Sequence, residues 1–270
     1  MAGNDTGMPT ALTIAGSDSG GGAGIQADLK TFAAHGVYGT SAITALTAQN
    51  TLGVNGVHVV PDDFVTAQIE AVVSDFGCDA VKTGMLANST IVEAVAAAVE
   101  GLELPNLVVD PVMVAKSGDH LLNEEAVHAL RWTLLRLARV VTPNIPEAEV
   151  LAKMTIGSVA DMREAARRIA MLKPSAVVIK GGHLDGPEVI DLLLEGGEYF
   201  EFVGPRIEGP NTHGTGCTFA AAIAAHLARG ASVRDAVPAA KAYVEGAMRN
   251  GIPLGKGHRP LNHFWKVRGT

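Results

Sequence analysis

The chain has 270 residues, 47% hydrophobic and 18% charged, which supplies a well-buried core and argues against disorder. Its formal net charge of −7 disfavours a nucleic-acid partner, because phosphate contacts need clustered Lys and Arg. No uninterrupted apolar run is long enough for a membrane span, and the opening MAGNDTGMPT is too polar for a signal peptide. Cys78 and Cys217 match no zinc or disulfide framework, so a cytoplasmic location is expected, with no membrane partner. Residues 1–9 read as a loose tail and 10–270 as one domain.

In chain order, five short apolar runs read as buried parallel strands: Leu12 to Ala15, Ala80 and Val81, Leu107 to Val109, Val140 and Val141, and Ala176 to Ile179. Such runs are continuously apolar when helices cover both sheet faces. Helical patterns follow over Asn88–Glu100, Asn123–Ala138 and Val159–Leu172, the alternation of a parallel sheet wrapped by helices. Ile190–Leu194 and Tyr199–Val203, joined by Glu195-Gly196-Gly197-Glu198, read as an edge β-hairpin. The fold class is therefore α/β, a mostly parallel central sheet with helices on both faces. Ligands in such sheets sit outside the carboxyl ends of the strands, where this chain carries Asp18, Lys82, Asp110, Asn144 and Lys180.

Gly20-Gly21-Gly22-Ala23-Gly24 follows the first strand, but Ile25 stands where a dinucleotide fingerprint needs its third glycine. Gln49 lies beyond the alternating stretch Ser41–Thr47 and is expected to project from a strand end. Asp110, held extended by Pro111, and the pair Asn144 and Glu147 offer hard oxygen ligands suited to Mg²⁺. Lys180 ends a strand as a point charge for nucleotide phosphates. Asn211–Thr218 precedes an apolar helix through Ala228. Its glycines let the backbone approach a ligand while the helix start offers N–H groups to an anion. Cys217 at that start is expected to have a lowered thiol pKa and to take a proton. Gly251-Ile252-Pro253-Leu254-Gly255-Lys256-Gly257 imitates a phosphate loop but has the wrong spacing. His35, His58 and His128 read as solvated, and His183 and His213 as neighbours of the motifs.

Ala15–Ser19 and Gly22–Thr31 resemble the N-terminal signature of hydroxymethylpyrimidine/phosphomethylpyrimidine kinases. Thr44–Thr51, Lys82–Leu86, Asp110–Met113, Thr142–Glu149, Lys180–His183 and Asn211–Cys217 continue the resemblance in family order, from about residue 11 to 265. It implies a ribokinase-like fold and transfer of the ATP γ-phosphoryl with Mg²⁺, first to a pyrimidine and then to its monophosphate, on the route to thiamine. It further implies that Gln49 hydrogen-bonds the pyrimidine, that Met85 and Val112 pack on it, and that Asp28 and Gly16 lie at the substrate pocket. Asp110 and Glu147 would hold the metal, and Lys180, Asn144 and Gly182 the nucleotide. Gly214, Thr215, Gly216 and Cys217 would form the catalytic anion hole; the wider ribokinase-like group has an aspartate base where this chain has Cys217. Gly20 stands where the family carries Ser or Pro. A homodimer is implied as well. The alternative is a pyridoxal or pyridoxine kinase of the same fold, which acts on another ring bearing a hydroxymethyl group.

Overall fold

The structure, a computed structural model, describes residues 7–113 and 123–266. Most of the expected N-terminal tail, residues 1–6, therefore lies outside the described residues. The five expected strands are present as β1 (Thr10–Asp18), β4 (Ala80–Thr83), β5 (Leu107–Val109), β6 (Val140–Val141) and β7 (Ala176–Ile179). Four more join them: β2 (Tyr38–Gln49), β3 (Val54–Val59), β8 (Glu188–Glu195) and β9 (Glu198–Pro205). The described residues form one sheet in the order β3-β2-β1-β4-β5-β6-β7-β8-β9. From β2 to β7 the neighbours run parallel, while β3 at one edge and β8–β9 at the other are antiparallel.

Side chains of successive strand residues point to opposite faces, so each face carries its own core. Leu12, Ile14, Val81, Leu107, Val109, Val141, Val177 and Ile179 fill one face beneath α2 (Asp62–Phe76), α3 (Ser89–Gly101), α5 (Ile145–Ala152) and α6 (Val159–Ala170). Ala11, Ala80, Val108, Val140, Ala176 and Val178 fill the other, beneath α1 (Gly24–Ala34), α7 (Thr215–Ala228) and α8 (Val233–Arg249). Small residues dominate there because α7, buried nearly all round through Ala220, Ala221, Ala222, Ala224 and Ala225, lies close on the strands.

The helix expected over Asn123–Ala138 departs from uniform α geometry. Only α4 (Glu124–Ala129) is α-helical; Leu130–Leu134 widen into a π turn and Leu135–Leu137 tighten into a 3-10 turn. His58 and His128 are exposed as expected, but His35 is half-buried. Its ring stands edge-on to Tyr243 at 4.4 Å and His226 at 5.1 Å, and burial pushes its pKa down.

The parallel register brings the ends of β1, β4, β5, β6 and β7 side by side. Beyond β6, Asn144 caps α5 and forms a bridge with Lys180, whose N–H donates to Pro143 O at 2.9 Å. Beyond β5, Val112 N donates to Asp110 O at 2.8 Å, turning the chain tightly about Pro111.

Candidate active site

A cavity of about 790 Å³ opens over these strand ends. Gly16, Gln49, Met85, Asp110, Val112, Asn144, Glu147, Lys180, Gly182, Gly214, Thr215, Gly216 and Cys217 all line it. At one end the carbonyl of Met85 accepts from Gly16 N at 3.1 Å and Thr44 Oγ1 at 2.6 Å, which fixes the Met85 backbone beside β1 and β2. Gln49 closes this end, its carboxamide oxygen accepting from Thr47 Oγ1 at 3.1 Å.

Asp28 is the exception among the sequence-derived site residues. It points from the buried face of α1 into the sheet, fully buried and outside the cavity lining. There its Oδ2 accepts from Thr13 Oγ1 at 2.6 Å and pairs with Lys82 Nζ at 2.8 Å, while Oδ1 lacks a hydrogen-bond partner among the described residues. Burial raises the Asp28 pKa against the pull of Lys82. Burial also opposes the Lys82 charge, yet Asp28, Cys217 and Asp110 outweigh it and hold the ammonium protonated. Lys82, and not Asp28, reaches the cavity.

The start of α7 is built by backbone packing. Gly214 has φ +82, and a methyl group there would strike the carbonyl of Gly22, so only glycine lets the two loops meet. Gly22 in turn abuts the His213 ring. His213 Nε2 lies 2.9 Å from Asp18 Oδ2, and the same carboxylate accepts from the backbone N–H of Gly20, Gly22 and Ala23 at 2.8, 3.0 and 2.8 Å. Burial works against the Asp18 charge, but His213 and these N–H groups prevail and hold its pKa below the ordinary value. The sequence placed Asp18 at a strand end where ligands sit and His213 beside a motif, but gave no sign that the two pair. They are 195 positions apart, and no local spacing links them.

Opposite the helix start stand Lys180 and Asp110, Nζ to Oδ1 at 3.0 Å. A methyl group at Gly216 would sit 3.4 Å from Lys180 Nζ and 3.6 Å from Asp110 Oδ2, so the first turn of α7 faces this pair directly. Asn144 and Glu147 form a reciprocal cap: Glu147 Oε2 accepts from Asn144 N at 2.7 Å, and Asn144 Oδ1 accepts from Glu147 N at 2.9 Å. Burial pushes the Glu147 pKa up to about 7, with Asp110 adding to the effect and Lys180 opposing it. The described residues contain no cluster of three or more His, Cys, Asp or Glu able to hold a metal. The Asp110 and Glu147 carboxylates are nevertheless of the kind that fits Mg²⁺, which is commonly held by one or two carboxylates and a substrate's phosphates.

The expected low pKa of Cys217 is overturned. Burial pushes the thiol up to about 11; Lys82 pulls it down, but Asp28 and Asp110 add to the rise. The helix start alone does not offset the desolvation of the thiol beside two carboxylates. Iodoacetamide labelling of Cys217, followed by mass spectrometry, is therefore expected to accelerate about ten-fold per pH unit from pH 7 to 10. A plateau below pH 8 would reveal a thiolate that burial does not suppress.

Three further polar residues, Asp191, Arg206 and Lys241, line the cavity without a sequence signal. Lys241, buried in α8, pairs with Asp191 of β8 at 2.8 Å, and Asp191 Oδ1 accepts from Gly181 N at 2.9 Å. Arg206 donates to the carbonyls of Gly182 (2.9 Å), Gly186 (2.7 Å) and Leu184, bracing the loop that follows β7.

Comparison with known proteins agrees with this geometry. The family model for phosphomethylpyrimidine kinase matches residues 18–262. The hydroxymethylpyrimidine/phosphomethylpyrimidine kinase of Bacillus subtilis is 49% identical over 255 residues, covering 94% of each chain. The thiamine biosynthesis bifunctional protein ThiED of Geobacter sulfurreducens is 53% identical over 253 residues; these cover 94% of this chain and 52% of that protein, so the chain spans about half its length. Among solved structures, an ADP complex of Bacillus subtilis pyridoxal kinase superposes with a TM-score of 0.90 at 42% identity, covering 97% of this chain and all of that one. With its mostly parallel sheet, ribokinase-like architecture and strand-end cavity, the chain belongs to the hydroxymethylpyrimidine/phosphomethylpyrimidine kinase family.

Proposed function

We propose that this chain phosphorylates 4-amino-5-hydroxymethyl-2-methylpyrimidine with ATP, and then phosphorylates the monophosphate to the diphosphate, in thiamine biosynthesis. The observation that carries the reading is the first turn of α7 facing the Lys180–Asp110 pair within one cavity. The ring takes the end bounded by Gly16, Gln49, Met85 and Val112. The nucleotide takes the end bounded by Asn144, Gly182, Val189, Ile207 and Val244. Their reacting atoms meet below Gly214–Cys217.

The hydroxymethyl oxygen attacks the γ-phosphorus as the bond to the β,γ-bridging oxygen breaks, and ADP leaves with that electron pair. Backbone N–H groups of the α7 turn and the Lys180 ammonium stabilise the charge on the transferring phosphoryl oxygens. The transition state of phosphoryl transfer is loose, so the hydroxyl proton is lost late, to an oxygen of the transferred phosphoryl group or to water, and a strong base is not required. The neutral Cys217 thiol then orients the hydroxyl and does not abstract its proton. Asp110 and Glu147 are the residues that would hold Mg²⁺, which neutralises charge on the phosphate oxygens when bound.

A coupled ADP-release assay with the aminopyrimidine and pyridoxal in parallel, with and without excess chelator, tests this reading. The aminopyrimidine is expected to be the better substrate, and chelator to abolish turnover. The Gln49 carboxamide offers both a donor and an acceptor to the aminopyrimidine edge, whereas pyridoxal has no matching amino donor. Unpaired buried partners cost about 1–3 kcal/mol, so Gln49→Leu should weaken use of the aminopyrimidine by roughly ten- to a hundred-fold and spare pyridoxal. Equal losses on both rings would mean that Gln49 supports the hairpin and does not read the substrate.

A further inference from the structure

The glycine- and lysine-containing loop near the C-terminus, which imitates a phosphate loop in sequence, lies against the hairpin that carries Gln49. Thr51, two residues beyond Gln49, sits in a backbone socket made by this segment. Its Oγ1 accepts from Lys256 N and Gly257 N, both at 3.2 Å, and its carbonyl accepts from His258 N at 2.9 Å. The fit excludes side chains: a methyl group at Gly255 would strike the Thr51 side chain, and one at Gly257 would strike the Thr51 carbonyl. Gly255 also has φ +80, a conformation that glycine adopts without strain.

The same segment is fastened to the anion-binding turn. His213 N donates to Arg259 O at 3.2 Å, Arg259 N donates to Pro210 O at 2.8 Å, and His213 bridges to Pro260. Three residues on, His263 Nε2 lies 3.0 Å from Thr218 Oγ1, the hydroxyl next to Cys217 in α7. Tyr243 Oη donates to His263 O at 2.6 Å, and Trp265 Nε1 donates to Tyr243 O at 3.2 Å, which seat the strap on α8. Residues 255–265 thus run from the tip of the ring-binding hairpin to the helix start that receives the phosphoryl group.

We propose that this C-terminal strap sets the position of the Gln49 hairpin relative to the α7 turn, which makes Thr51 a positioning and specificity-determining residue for the ring substrate. The inference rests on the kinase reading above for its substrate. Its mechanical part stands on the hydrogen bonds alone. Nucleotide contacts lie at the other end of the cavity, so a fault in the socket reaches the ring and leaves ATP binding alone. Hairpin misplacement by a fraction of an ångström is enough to break a hydrogen bond from the Gln49 carboxamide.

Thr51→Val keeps the shape and removes the acceptor for two N–H groups, whereas Thr51→Ser retains it. For Thr51→Val, the KM for the aminopyrimidine is expected to rise about ten-fold, with the KM for ATP within about two-fold of wild type. Thr51→Ser should restore the ring KM. Amide hydrogen exchange across residues 50–54 should quicken about ten-fold in the Val variant and return in the Ser variant. An unchanged ring KM, a parallel rise for ATP, or a Ser variant that behaves like Val overturns the proposal. Should the wild type phosphorylate neither ring, the functional reading falls. The exchange measurement then decides the strap by itself, and unaltered exchange in Thr51→Val refutes it.

Discussion

Lys180→Met is expected to reduce kcat/KM about a thousand-fold, a loss of roughly 4 kcal/mol in transition-state stabilisation. The ammonium lies 3.0 Å from Asp110 Oδ1 and faces the first turn of α7, where we place the transferring phosphoryl group and its gathering negative charge. Methionine keeps the length and apolar stem of the side chain and removes only the charge. The variant also leaves Asp110, 2% exposed, beside the buried Glu147 without its cation, so the fold itself weakens. The double variant Lys180→Met/Asp110→Asn separates the two effects. It removes the unpaired carboxylate and is expected to recover most of the melting temperature while activity stays low. A folded single variant that keeps more than a tenth of wild-type kcat/KM would exclude Lys180 from the phosphoryl site.

Gly216→Ala is expected to lower kcat about a hundred-fold while leaving the melting temperature unchanged or higher. Alanine favours helix over glycine by about 1 kcal/mol, and the new methyl would meet its nearest heavy atom, Lys180 Nζ, at 3.4 Å, which the unliganded protein accommodates. That space is where we place the phosphoryl group, and displacing a reacting group by about 1 Å costs on the order of a hundred-fold. Gly214→Ala supplies the contrast. Its methyl collides with the Gly22 carbonyl at a positive φ, so both activity and melting temperature should fall. Steady-state kinetics and thermal melts on the two variants check the pair. If Gly216→Ala keeps wild-type kcat, the first turn of α7 does not bound the site of transfer.

The buried strands were readable because a parallel strand covered on both faces is apolar at every position, as in Val140–Val141 and Ala176–Ile179. Their polar sequels, among them Asp110-Pro111 and Thr142-Pro143-Asn144, marked the cavity rim for the same local reason. The edge strand β3 and the helices α2 and α8 escaped notice. Nearly all of β3 is exposed, so Val54–Val59 lacks an apolar run, and α8 buries largely small residues such as Ala236 and Ala240 alongside a charged Lys241.

Residue order along the chain was sufficient to identify the family and to name several of the residues that line the cavity, because motif composition and strand periodicity are local properties. Orientation and charge state were settled only by packing. Asp28 lies in a matching motif, yet the helix turns it toward Lys82 and Thr13 and away from the cavity. Cys217 starts a helix, yet burial near Asp28 and Asp110 raises a pKa that the helix start was expected to lower. Asp18 finds His213, and Thr51 finds Gly257, across 195 and 206 positions. A pKa depends on desolvation and on charges a few ångströms away, and those neighbours come from distant parts of the chain that only the folded sheet and its helices bring together.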